Sequence, residues 1–195
     1  MNTRDILKIN LKRLIPAIRG DWFLSDGGLL GIERQGNLLE WDNDLDIYLL
    51  PGSSIDIDVL RKQGLDLQDY YMDTKVYDPS LENNNLKTWS EYMGYTRVLN
   101  KDIKLNRCQL MKLAAIDYKE KKIKPKFTVP YIDVYYLRDD LSISCWDIKY
   151  DEEDMELEEN FDLGFKIYIP NNRDKILKKL YGEDWRIPNP DFQHV

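Results

Sequence analysis

The sequence predicts an α+β fold, on three observations. Apolar residues recur at helical spacing near both ends of the chain, two inner segments alternate apolar and polar residues, and glycine or proline punctuates these segments. With 195 residues, 43% of them hydrophobic and 32% charged, the chain suits one globular domain over residues 1–195.

The first helix is predicted over residues 3–15, where Leu7, Leu11, Leu14 and Ile18 recur at helical spacing, with Thr3 as N-cap and Pro16 as the stop. Trp22, Phe23 and Leu24 read as a short buried strand feeding a tight turn at Ser25, Asp26, Gly27 and Gly28, and a short helix over residues 29–34 follows. Leu45, Ile47 and Leu49 alternate with Asp44, Asp46 and Tyr48, which predicts a half-buried strand ended by Pro51 and Gly52. Ser54 then precedes a short helix over residues 55–62, closed by Gly64. Residues 65–126 leave their topology open: tyrosine-rich stretches favour strands, Asn83, Asn84 and Asn85 mark an exposed turn, and a helix is expected over residues 105–119. Alternation returns over residues 129–137, with Tyr131, Asp133 and Tyr135 on one face and Ile132, Val134 and Tyr136 on the other. The acidic run over residues 151–159 is expected to be a solvated face. Phe165, Ile167 and Ile169 alternate up to Pro170, and a last helix runs from an Asn172 cap through Leu180 to Gly182.

Composition excludes several classes of function. A net charge of -7 gives no general pull toward phosphate backbones or anionic membranes, so nucleic acid is not an expected partner. No run of about 18 apolar residues is present and Met1 to Asp5 is polar, so no integral membrane segment is expected and the expected compartment is cytoplasmic. Cys108 and Cys145 are then expected as free thiols. His194 is the single histidine, which excludes His-based triads and His-rich zinc sites. Chemistry in this chain must rest on carboxylates.

Asp42, Asp44 and Asp46 occupy alternate positions, so in extended chain they project to one side, about 7 Å apart at successive positions. Like charges so placed call for a cation, a water or an Arg or Lys side chain to compensate them, and hard oxygen donors suit Mg²⁺ or Mn²⁺, which bind one or two carboxylates together with substrate phosphates. Upstream, Gly27, Gly28 and Gly31 flank the start of a helix, where glycines let backbone N–H groups approach a phosphate. Asp133, on the second alternating strand, is a third carboxylate for the metal or a base for an attacking hydroxyl.

This layout resembles the nucleotidyltransferase superfamily. More closely, Gly27-Gly28-Leu29-Leu30-Gly31-Ile32-Glu33-Arg34 followed by Trp41-Asp42-Asn43-Asp44-Leu45-Asp46-Ile47 resembles the LicD and fukutin family, with its GxLLGxxR and WDxDxDI segments. Ile132-Asp133-Val134 matches the family's later acidic strand, and Tyr181-Gly182-Glu183-Asp184-Trp185 with Pro188 its C-terminal ending. The resemblance implies a nucleotidyltransferase-like mixed sheet, with helices packed behind and acidic residues on one sheet face. It also implies a metal-dependent transferase that moves a phospho-alcohol, phosphocholine or a polyol phosphate, from a CDP-activated donor to a hydroxyl of a glycan or sugar acceptor. In that scheme Asp44 and Asp46 hold Mg²⁺ (or Mn²⁺) on the diphosphate, and Asp133 binds a second metal or activates the acceptor. Gly27 and Gly28 cradle phosphate, Arg34 contacts phosphate or holds Asp42, Asp42 supports the other acids, and Trp41 packs in the core. Gly28 stands where many relatives carry Ser or Thr, and Glu40 where Pro is common. Neither a membrane anchor nor a Cys/His zinc motif of the kind some relatives carry is found. Two rival readings use the same residues: transfer of a nucleoside monophosphate from an NTP to a small molecule or protein, and a catalytically silent binding module.

Overall fold

The computed structural model describes residues 2–68, 71–73, 86–88, 95–100, 130–143 and 149–188. The expected helix over residues 105–119, the turn at Asn83, Asn84 and Asn85, both cysteines and His194 lie outside the described residues.

Helix α1 (Thr3–Leu14) buries Leu7, Leu11 and Leu14 completely. Its N-cap is Asn2 rather than Thr3. The Asn2 side chain accepts from the Asp5 N–H at 2.8 Å while Asp5 reaches back to the Asn2 N–H, so the reciprocal pair satisfies two helix-end donors. Pro16 does not stop the chain abruptly. It sits in a 3-10 turn, Ile15–Ala17, that extends the helix end.

Two-residue strands β1 (Ile18–Arg19) and β4 (Ser54–Ile55) pair antiparallel. Ser54 and Ile55 therefore belong to a strand, and α3 (Ile57–Lys62) is capped by Asp56, whose carboxylate accepts from the Val59 N–H at 3.0 Å. Gly64 follows with φ +81°, the left-handed turn predicted for it.

The centre is a five-stranded mixed sheet. Its strands are β2 (Trp22–Ser25), β3 (Asp44–Leu49), β9 (Tyr131–Tyr136), β8 (Tyr95–Asn100) and β5 (Leu65–Gln68), in that spatial order. Strands β3 and β9 run parallel, and the other neighbours antiparallel. Strands β6 (Tyr71–Asp73) and β7 (Leu86–Thr88) form a separate antiparallel pair, as do β10 (Leu157–Asn160) and β11 (Ile167–Pro170).

Residues opposite one another in register share a sheet face. Leu24, Ile47 and Val134 form one row and Leu45, Ile132 and Val98 fall on the same face, all of them buried. Helix α2 (Asp26–Gln35) packs on this apolar face, at Leu24 and Leu45. The helix begins at Asp26, so Gly27, Gly28 and Gly31 lie inside it and not in a preceding turn. A Cβ at Gly28 would sit 2.7 Å from Leu24 Cδ1 and 2.8 Å from Leu45 Cδ1, and one at Gly31 2.6 Å from the Asn37 carbonyl oxygen. These glycines are close-approach positions.

The opposite face carries Phe23, Tyr48 and Tyr135 in one row, with edge contacts of 5.3 Å between Phe23 and Tyr48 and 4.9 Å between Tyr48 and Tyr135. Buried Tyr150 covers them, 6.0 Å from Tyr48. Two residues toward the N-terminal ends of β3 and β9, the same face turns acidic.

The last helix, α4 (Arg173–Tyr181), is tied to α2 by Arg173 Nε on Glu33 Oε1 at 2.6 Å. The acidic run ahead of it is not uniformly solvated. Asp154 is 1% exposed and accepts from the Asp151 N–H at 3.0 Å, from Lys175 Nζ at 2.9 Å and from Asn172 Nδ2 at 3.2 Å. Asn172 thus precedes α4 as expected, but its side chain serves Asp154 and makes no cap bond.

Candidate active site

The register sets the site. Ser25 on β2, Asp46 on β3, Asp133 on β9, Arg97 on β8 and Gln68 on β5 stand in one transverse row across all five strands. Asp44 lies two residues earlier on the same face, opposite Tyr131. The two alternating segments therefore bring Asp44, Asp46 and Asp133 together on one face, although 87 residues separate Asp46 from Asp133.

Asp46 and Asp133 sit directly opposite each other, which for like charges is destabilising without compensation. Among the described residues a cationic side chain pairs with Asp133 and none with Asp46. Arg97 Nε donates to Asp133 Oδ1 at 2.7 Å and Arg97 Nη2 to Asp133 Oδ2 at 2.8 Å, with both residues buried. The guanidinium lies 4.0 Å over the Tyr131 ring, and the Tyr131 hydroxyl donates to Asp44 Oδ2 at 3.1 Å.

Asp42, just before β3, and Asp46 on it have raised pKa values. Burial first, then the Asp44 charge and a hydrogen bond to Asp44, push the Asp42 carboxyl up to about 8. Asp46 is held well above the usual carboxylate range, first by burial and then by Asp26, Asp44, Asp133 and Asp42. Protein atoms crowd around Asp46 although part of its surface still reaches solvent. The aromatic layer at Phe23, Tyr48 and Tyr135 supplies the low-dielectric ground beneath it.

Sequence reasoning missed four members of this site. Asp26, at the junction of β2 and α2, has φ +47° and ranks first among the charges acting on Asp46. Tyr181, at the end of α4, is raised by burial and then by Asp26, Asp46, Asp42 and Asp44, which places its hydroxyl near the acids. Tyr131 and Arg97 complete the set. The available signal for Arg97 is its place in Tyr95-Thr96-Arg97-Val98, a charged residue within an alternating strand pattern. Asp26 is signalled only by its position directly before two glycines.

Other expectations are corrected. Gly28 turns its Cα toward Leu24 and Leu45 in the core, so it serves helix-to-sheet packing. Gly27 faces the site: a Cβ there would overlap the Asp42 carboxylate. Arg34 does not hold Asp42. Its Nε donates to the Trp185 carbonyl at 2.8 Å and its Nη2 to the Ile187 carbonyl at 3.2 Å, so it fastens the segment after α4 to α2. Partial burial lowers its pKa. Trp41 is 65% exposed and so does not pack in the core. It lines a shallow depression of about 320 Å³ together with Glu33, Arg34, Leu39, Arg186 and Pro188, apart from the four acids Asp42, Asp44, Asp46 and Asp133. Glu40 is engaged with Arg4 at 3.4 Å on the surface.

Among the described residues no three acidic, histidine or cysteine side chains already converge to enclose one ion. Asp44 and Asp46 are the acids of the row outside the guanidinium pair, and a hard divalent ion completes its shell from one or two carboxylates with water and substrate oxygens. No helix among the described residues is long and apolar enough to cross a membrane. No family model matches the chain, and no curated protein matches it.

Proposed function

We propose that the chain is a metal-dependent transferase of the LicD and fukutin kind, on a nucleotidyltransferase-like sheet, moving a phospho-alcohol from a CDP-activated donor to a sugar hydroxyl. The observation that carries this reading is the register of Asp46 against Asp133 with Asp44 beside them. It joins residues from two distant sequence motifs on one face, next to the start of α2.

The donor set fits Mg²⁺ or Mn²⁺. All its atoms are hard carboxylate oxygens, and the proton uptake of Asp42 and Asp46 reflects how short of positive charge the cluster is. A bound divalent ion would supply the charge that lets a diphosphate approach and a nucleotide leave. Asp44 and Asp46 would hold it, with Asp42 placed by its hydrogen bond to Asp44 and by the open face of Gly27. The Tyr131 hydroxyl orients Asp44, and Arg97 fixes the Asp133 carboxylate. The start of α2 faces its free backbone N–H groups and positive dipole end toward an anion at this edge.

One observation favours a second reading, a binding module without turnover: the Arg97 pair already occupies both oxygens of one of the three acids. A thermal-shift series separates these readings. CDP, CMP, CDP-choline, CDP-ribitol, ATP and UTP are each added with Mg²⁺ or with EDTA, to wild type and to Asp46→Asn. The transferase reading expects CDP-alcohols to raise Tm with Mg²⁺ and only in wild type, because a ligand stabilises the state that binds it. A shift by ATP or UTP alone overturns it in favour of nucleotidyl transfer, and no metal-dependent shift favours the silent module.

A further inference from the structure

The acid row is electrostatically lopsided. On the β9 side Asp133 is closed by a bidentate contact to Arg97, with Asp133 4% and Arg97 5% exposed. On the β3 side Asp42, Asp44 and Asp46 crowd together, and Asp44 is met by a neutral phenol and a neighbouring carboxyl. Asp46 stands between the two sides, opposite Asp133 in register. A site for two divalent ions needs a carboxylate shared between them and a second set of oxygens beyond it. Asp46 has the position to be shared, but the oxygens beyond it are those of Asp133, and a guanidinium holds both. A dication brought there meets a fixed positive charge at close range in a poorly screened environment. Displacing the guanidinium strands it in a buried place over the Tyr131 ring.

We propose that Arg97 substitutes for a second metal ion, so that the row takes up one divalent ion, on the Asp44 and Asp46 side, and Asp133 serves as the anion that positions Arg97. This rests on the metal-dependent reading above, which left Asp133 as either a second-ion ligand or the base; the ion pair assigns it neither task. The positive charge on the β9 side is then covalently part of the chain. It stays in place when free metal is scarce.

The test counts Mn²⁺ bound to the full chain by electron paramagnetic resonance, at saturating and at limiting metal, in wild type, Arg97→Met, Arg97→Met/Asp133→Asn and Asp46→Asn. Wild type is expected to bind one ion per chain. Asp46→Asn is expected to weaken it by about 100-fold or more, the upper end of what loss of even an outer-shell partner costs. Arg97→Met removes the guanidinium from both Asp133 oxygens and is expected to gain a second ion. The double variant removes both charges, so it folds without a stranded ion, and is expected to return to one ion with affinity within about tenfold of wild type. Two ions in wild type overturn the proposal, as does a single ion in folded Arg97→Met. Where Arg97→Met alone does not fold, the double variant decides: a loss as large as that of Asp46→Asn makes Asp133 a ligand and overturns the proposal. No Mn²⁺ on wild type at all overturns it together with the metal-dependent reading, whereas one ion in wild type and in Arg97→Met overturns this inference alone.

Discussion

At the C-terminal end, Asp151 lies 2.8 Å from Lys175 Nζ, and Asp174 accepts from Lys178 and Arg186 at 3.2 and 2.6 Å. Asp151 and Asp174 are held below the ordinary carboxylate range, first by hydrogen bonds to Lys175 and Lys178 respectively. On β3 the shifts run the other way: Asp42 and Asp46 are pushed up by burial and by one another's neighbours. Both regions are equally acidic to the eye reading the sequence. What separates them is compensation. Acids on an exposed helix and loop recruit lysines of α4 at little cost, whereas acids crowded on a sheet face above an aromatic layer keep their mutual repulsion. Such repulsion costs stability, so the β3 cluster is the region where a ligand cation has something to gain.

The sharpest way to break this contrast is Asp46→Asn. Turnover with metal is expected to fall by about a thousand-fold, the scale of losing one key charge-stabilising group, while Tm in EDTA rises because repulsion is relieved. Retained activity, or a lower metal-free Tm, would put Asp46 with the compensated acids. Arg97→Met is next, expected to cost about 3–5 kcal/mol by taking the guanidinium away from a buried carboxylate. Asp133→Asn in the same chain should recover most of that in urea unfolding. Asp154→Ala tests the compensated side, where Asp154 is buried but fully bonded; here the expected change is a loss of about 1–3 kcal/mol, opposite in sign to Asp46→Asn without metal.

The pH dependence carries a smaller effect. Asp42 and Asp46 have folded-state pKa values above the unfolded one, so their contribution is fully present below about pH 4 and is lost as pH rises. For Asp42 that loss runs through about 8. Metal-free Tm should therefore drop between about pH 4 and pH 8, and Asp42→Asn should flatten the drop; an unchanged slope would remove Asp42 from the cluster. Asp151 and Asp174 contribute in the opposite sense, with stability present at neutral pH and lost as pH falls through their lowered values. Smallest of all is Lys166→Ala, which removes an exposed pair with Glu159 between β10 and β11 and should cost only about 0.2–1 kcal/mol.

Local pattern made a good part of this molecule legible. The helical spacing of Leu7, Leu11 and Leu14, the alternation around Asp44 and Asp46, and the facing of Tyr131, Asp133 and Tyr135 are set by residues within a few positions of one another, and each holds in the structure. Glycine was legible as punctuation but not as contact. What the Cα of Gly28 packs against depends on which face of α2 turns to the sheet, and the sheet turns it to Leu24 and Leu45. Arg34 and Trp41 were misplaced for the same reason, since their surroundings arrive from the segment after α4, about 150 residues away.

By itself, then, the sequence determined the α+β composition, the two acid-bearing strands and the side of each strand on which the acids lie, because a period of two fixes side-chain direction within one strand. It did not determine which strands are neighbours or how far each slides along the next. Tertiary structure decided that β3 and β9 run side by side in the register that sets Asp46 against Asp133, and that β8 delivers Arg97 to the same row. A slip of one residue would turn every side chain to the opposite face, so register is fixed by burying the apolar face as a whole. The acid site on the other face is set by that same burial.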